Sequence, residues 1–129
     1  VLVGSLADNA LWPNFGVAGP LDMRNPKLIT HMFVHRTHMD IFGQLYPARL
    51  SNTEHDEWIS RVYGYKNTFL HTGVQVYNTH RFTGRSKLCT TGQMAIPREI
   101  QQGVTKLKAW LVRQLGGYSS ELVITAMLE

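Results

Sequence analysis

The sequence predicts an α+β chain: an antiparallel β-sheet followed by two C-terminal α-helices that cover a sheet of this chain or of a second copy. Three observations predict it. From Pro97 to Leu115 the apolar residues Ile100, Val104, Leu107, Leu111 and Leu115 recur three to four places apart, the spacing of one helix face. Between Leu70 and Ile96 the side chains alternate as in strands, with Thr83-Gly84-Arg85 as a short turn. Charged residues make up only 17% of the 129, below the roughly 25% of ordinary soluble proteins, so part of the surface is expected to be covered by partners. One domain spanning residues 1–129 and an obligate dimer follow as expectations.

Taken in order, Val1 to Lys27 carries Pro13, Pro20 and Pro26 with Gly4, Gly16 and Gly19, too much punctuation for a long helix, and reads as short strands and turns. Leu11, Trp12, Phe15 and Val17 form an edge strand or arm. Leu28 to Phe42 is rich in β-formers but does not alternate cleanly, so it reads as a strand with a helix as the alternative. Gln44 to Leu50 is a short strand that Pro47 places at an edge. Ser51 to Glu57 is polar and reads as a solvated loop, and Arg61 to Lys66 alternates like a strand. The next strand sends Leu70, Thr72, Val74 and Val76 inward and His71, Gln75, Tyr77, Thr79 and Arg81 outward. Ser86 to Ile96 returns as its hairpin partner, with Lys87, Cys89, Thr91 and Gln93 outward. Pro97 suits a first helical turn, Gly116-Gly117 stops that helix, and Ser119-Ser120-Glu121 starts a second containing Leu122, Val123, Ala126 and Met127.

Two clusters invite a chemical reading. His31, His35 and His38 would lie near one face of a helix, as zinc ligands do, but a strand splits them, and no Cys or Glu completes a motif. The run from Glu54 to Glu57 offers carboxylates, but in a polar loop with no apolar pocket to shift them. No enzyme, no metal and no cofactor are therefore expected. The single Cys89 excludes an intrachain disulfide. No apolar run approaches the roughly 20 residues that span a bilayer, so no membrane is expected as a partner.

The net charge of +4 is unevenly placed: no Asp or Glu lies between Trp58 and Arg98, while Arg61, Lys66, Arg81, Arg85 and Lys87 do. A basic surface of this kind suits a polyanion. The outward strand face, with Gln75, Tyr77, Thr79, Arg81, Lys87 and Thr91 and with Arg61 and Tyr63 beside it, mixes cations, amides and aromatic rings as single-stranded RNA binding requires.

A strand-rich body, a last strand ending in Met94-Ala95-Ile96-Pro97, and two closing helices resemble the coat proteins of single-stranded RNA bacteriophages. The resemblance covers the plan from about Arg61 onward. It implies an intertwined dimer, with Ile100, Val104, Leu107, Leu111 and Leu115 crossing onto the partner. It also implies self-assembly into an icosahedral shell, RNA on the inner sheet face, and a virion assembled in a bacterial cytoplasm. A small His-dependent metalloenzyme and a nonviral dimeric nucleic-acid-binding protein are the alternatives.

Overall fold

The computed structural model describes residues 1–77, 95–116, 124, 125 and 128. Helix α1 (Leu2–Ala7) leads to strand β1 (Val17–Asp22), and helices α2 (Thr37–Phe42) and α3 (Asn52–Tyr63) follow. A short 3₁₀ turn, Tyr65–Asn67, enters strand β2 (Thr68–Val76), and α4 (Ala95–Gln114) is the long helix.

β1 and β2 pair in parallel, Val17 opposite Thr68 and Asp22 opposite Val76. This overturns the antiparallel sheet. The reason is topological: parallel neighbours need a crossover rather than a tight turn, and α2 and α3 lie between them in the chain. β1 lies in the stretch read as short strands and turns, and it begins at Val17, the last residue of the expected edge strand or arm. A Cβ on Gly19 would stand 2.5 Å from Ile29 Cγ2 and 2.6 Å from the His31 carbonyl oxygen, so only glycine lets the segment after Leu28 cross β1 this closely. That segment pairs with β1 only at the bridge Ala18–Phe33, not as a strand to Phe42.

The second correction concerns Ser51 to Lys66, which is helix α3 and the 3₁₀ turn, not a loop and a strand. Ser51 is the N-cap, and its backbone N–H donates to Glu54 Oε2 at 2.7 Å in a capping box. Trp58, Ile59, Val62 and Tyr63 then fall on one helix face and are all buried. Helix α3 supplies the surface on which α4 packs. The Trp58 indole Nε1–H donates to the Glu99 carbonyl at 3.1 Å, and Gly103 sits against Trp58 and Val62. Gln44 to Leu50 forms no strand, although Leu50 is buried.

Helix α4 contains the stretch read from Pro97 but begins at Ala95, so Ala95 and Ile96 leave the expected strand. Leu107 and Leu111 are fully buried in the core of their own chain, with Phe15, Trp58, Trp110 and Ile124. Their reading as residues that cross to a partner is corrected: α3, unforeseen, occupies that role within the chain. Ile100, Val104 and Leu115 are half-buried. In β2 the exposed residues are Thr72, Gly73, Val74 and Gln75, so Thr72 and Val74 do not face inward as expected. The hairpin through Ser86 to Met94 lies outside the described residues, as do most residues of the final helix. Of these Ile124, Thr125 and Leu128 are helical, with Ile124 and Leu128 buried. No helix among the described residues is long and apolar enough to cross a membrane.

Candidate active site

Ligands of parallel α/β arrangements gather where the strands end. At the end of β1 stands Asp22, only 1% exposed. Its Oδ1 accepts from the Arg24 backbone N–H at 2.9 Å, and its Oδ2 accepts from the Thr30 hydroxyl at 2.7 Å. These hydrogen bonds, Thr30 first, hold its carboxyl below the ordinary range, and the charge of His31 assists. Thr30 Oγ1 also lies 3.0 Å from His31 Nδ1.

The second carboxyl comes from α3. Asp56 is half-buried, and its pKa is pushed up to about 6, chiefly by burial. The neighbouring charge of Asp22 adds to the rise, while that of His31 opposes it. Tyr46 completes the surroundings: burial and then the charge of Asp56 raise its phenol, and its ring stacks on His55 at 4.0 Å between centroids. His55 is fixed in turn by donating from Nε2 to the Leu50 carbonyl at 3.1 Å.

The three histidines of the sequence are not brought together. His38 is buried, donating from Nε2 to the Leu45 carbonyl at 3.0 Å and accepting at Nδ1 from the Tyr63 hydroxyl at 2.9 Å. Burial lowers its pKa, as it raises that of Tyr63. His35 contacts the Thr37 hydroxyl at 2.8 Å. Of the three, only His31 is linked to Asp22, through the Thr30 hydroxyl. Among the described residues no three His, Cys, Asp or Glu side chains stand where they could hold a metal ion.

Of the residues read as an RNA face, Tyr63 is buried within the core and is no surface contact, because it belongs to the inner side of α3. Arg61 is exposed and paired with Glu57 at 2.9 Å. Gln75 and Tyr77 are exposed, and the Arg24 guanidinium lies 5.1 Å from the Tyr77 ring centroid. Thr79, Arg81, Lys87 and Thr91 lie outside the described residues. Asp22 does not stand out in the sequence, and Asp56 reads there only as one carboxylate of the solvated run from Glu54 to Glu57. The signal available for Asp56 was the Ser51-x-x-Glu54 pattern, which makes its segment a helix and turns one side of it inward. Compared with protein-family models, with curated proteins and with solved structures, the chain finds no match in any of the three.

Proposed function

We propose that the chain carries an enzymatic acid–base site in which Asp56 takes and returns the reacting proton, beside an Asp22 carboxylate that stays ionised. The observation that supports this reading is the half-buried Asp56 on the capped helix α3, where burial pushes its carboxyl up to about 6, while hydrogen bonds from Thr30 and the Arg24 amide hold Asp22 low. Two carboxyls whose surroundings drive them apart divide the labour of acid and base, and a group that titrates near neutrality transfers protons efficiently in both directions. The expectation of a non-enzyme rests on the histidine group and the Glu54 to Glu57 run lacking a complete set of catalytic partners; the part of it that read Ser51 to Glu57 as a solvated loop changes, because as a helix that segment takes Asp56 out of full solvent. The reaction class that fits is hydrolysis or group transfer in which water or a substrate hydroxyl loses its proton to Asp56 as its oxygen attacks. A carboxyl-carbon NMR titration tests the premise: Asp56 is expected to titrate near 6, and a midpoint near 4 overturns it. Turnover across a panel of activated esters, glycosides and phosphoesters should rise through that pH and disappear in Asp56→Asn.

A second reading, RNA binding by a self-assembling coat protein of a virion, is favoured by the exposed Tyr77 with Arg24 over its ring and by the acid-free stretch that follows Trp58. Tyr77→Ala should then weaken single-stranded RNA binding by about 1–3 kcal/mol. An Arg81, Lys87 double alanine variant should flatten its salt dependence, and electron microscopy should show uniform shells.

A further inference from the structure

The side chains of Asp22, Thr30 and His31 form a chain of two hydrogen bonds whose direction is fixed by proton counting. Asp22, ionised, can only accept, and the Thr30 hydroxyl has one proton to give. The short contact of 2.7 Å from Thr30 Oγ1 to Asp22 Oδ2 takes that proton. The contact of 3.0 Å between Thr30 Oγ1 and His31 Nδ1 is then a hydrogen bond only if Nδ1 carries the hydrogen. An unprotonated Nδ1 would set two lone pairs against each other.

We infer that Thr30 is a positioning residue: through Asp22 it fixes the His31 imidazole as the Nδ1–H tautomer and leaves the Nε2 lone pair as a second proton acceptor in addition to Asp56. His31 is exposed, so this lone pair is open to a bound molecule. The charge of His31 acts on the Asp56 carboxyl and opposes its rise. The balance is simple. When Nε2 takes a proton, the imidazole becomes a cation; Nδ1–H still donates to Thr30, the Thr30 hydroxyl still donates to Asp22, and no other proton moves. The cation that forms is linked through the Thr30 hydroxyl to the buried Asp22 carboxylate. The functional meaning of this tautomer rests on the acid–base reading of Asp56; the tautomer itself does not.

The test is two-bond proton–nitrogen NMR on the full chain labelled at histidine nitrogens, at about pH 8.5, well above the ordinary histidine midpoint. The His31 signals are identified by their loss in His31→Gln. The wild type is expected to show a protonated Nδ1 and an unprotonated Nε2. Thr30→Val, which keeps the shape and removes the hydroxyl, should shift His31 to mainly Nε2–H, and Thr30→Ser should restore the original pattern. A merely structural Thr30 would move none of these signals. Nε2–H in the wild type overturns the inference without any variant, and an unchanged tautomer in folded Thr30→Val overturns it as well. Asp56 is titrated in the same samples. A midpoint near 4 with His31 in the Nδ1–H form removes the acid–base reading and leaves the tautomer assignment standing; a midpoint near 6 with His31 in the other form does the reverse.

Discussion

Replacing Asp56 by Asn should abolish turnover and, at neutral pH, make the protein more stable. The folded-state pKa of Asp56 is raised, from an ordinary 3.8 to about 6. Between these values the folded state binds the proton more tightly than the unfolded state, so stability falls as pH rises through that window. Above about 6 the penalty for holding an ionised carboxylate in a half-buried place is present in full. Each unit of pKa corresponds to about 1.36 kcal/mol, so the whole shift would amount to about 3 kcal/mol. Asp56 keeps part of its solvent, which screens its charge, and a discounted gain of about 1 kcal/mol is the fair expectation. Asparagine has nearly the same shape and never ionises. Urea unfolding of both proteins at pH 7.5 and near pH 4 measures the effect: the variant should gain about 1 kcal/mol at the higher pH and almost nothing at the lower. A variant less stable than wild type at pH 7.5, or a difference independent of pH, would refute the reasoning, because either outcome means that Asp56 is not ionised at a cost.

Three other outcomes are expected. His38, neutral between Tyr63 and Leu45, has its pKa lowered by burial, so its contribution to stability is complete above the unfolded value of about 6.5 and is lost as pH falls below it; urea midpoints from pH 8 to 5 should show this decline, and it should be absent in His38→Gln. Leu107→Ala empties a fully buried site and should cost about 2–5 kcal/mol in chemical denaturation, at every protein concentration, because the residue packs within its own chain. Gly103→Ala puts a methyl 2.8 Å from Val62 Cγ2 and 3.3 Å from the Trp58 ring; the crowding should outweigh the better helix propensity and lower the melting temperature by a few degrees, about 1 kcal/mol net.

Helix α4 was legible because its apolar residues repeat at the helical period and its proline falls in the first turn. Part of β2 was legible by alternation, but its inner and outer faces were not, since their burial depends on which strand it pairs with. α3 was hidden by composition. Ser51 to Glu57 is polar enough to pass for a loop, and only the cap-to-third-residue pairing of Ser51 with Glu54 announces a helix. Without α3, Leu107 and Leu111 have no evident partner in their own chain, and Asp56 has no reason to leave water. Asp22 was unreadable for a different reason: its burial depends on Thr30, brought alongside where the chain crosses β1 at Gly19, a nonlocal contact that no periodicity encodes.

The parallel pairing of β1 with β2 also has a consequence in time. During synthesis β1 emerges early and must wait for everything through α3, and then for β2 itself, before its ladder can close. Pairings so distant in sequence are slow to form, because loop entropy is lost before any contact repays it. The capped α3 can form locally in the interval, since its first turn is closed by Ser51 and Glu54 alone. Asp56 is thus carried on a helix that can form before β1 and β2 close their ladder.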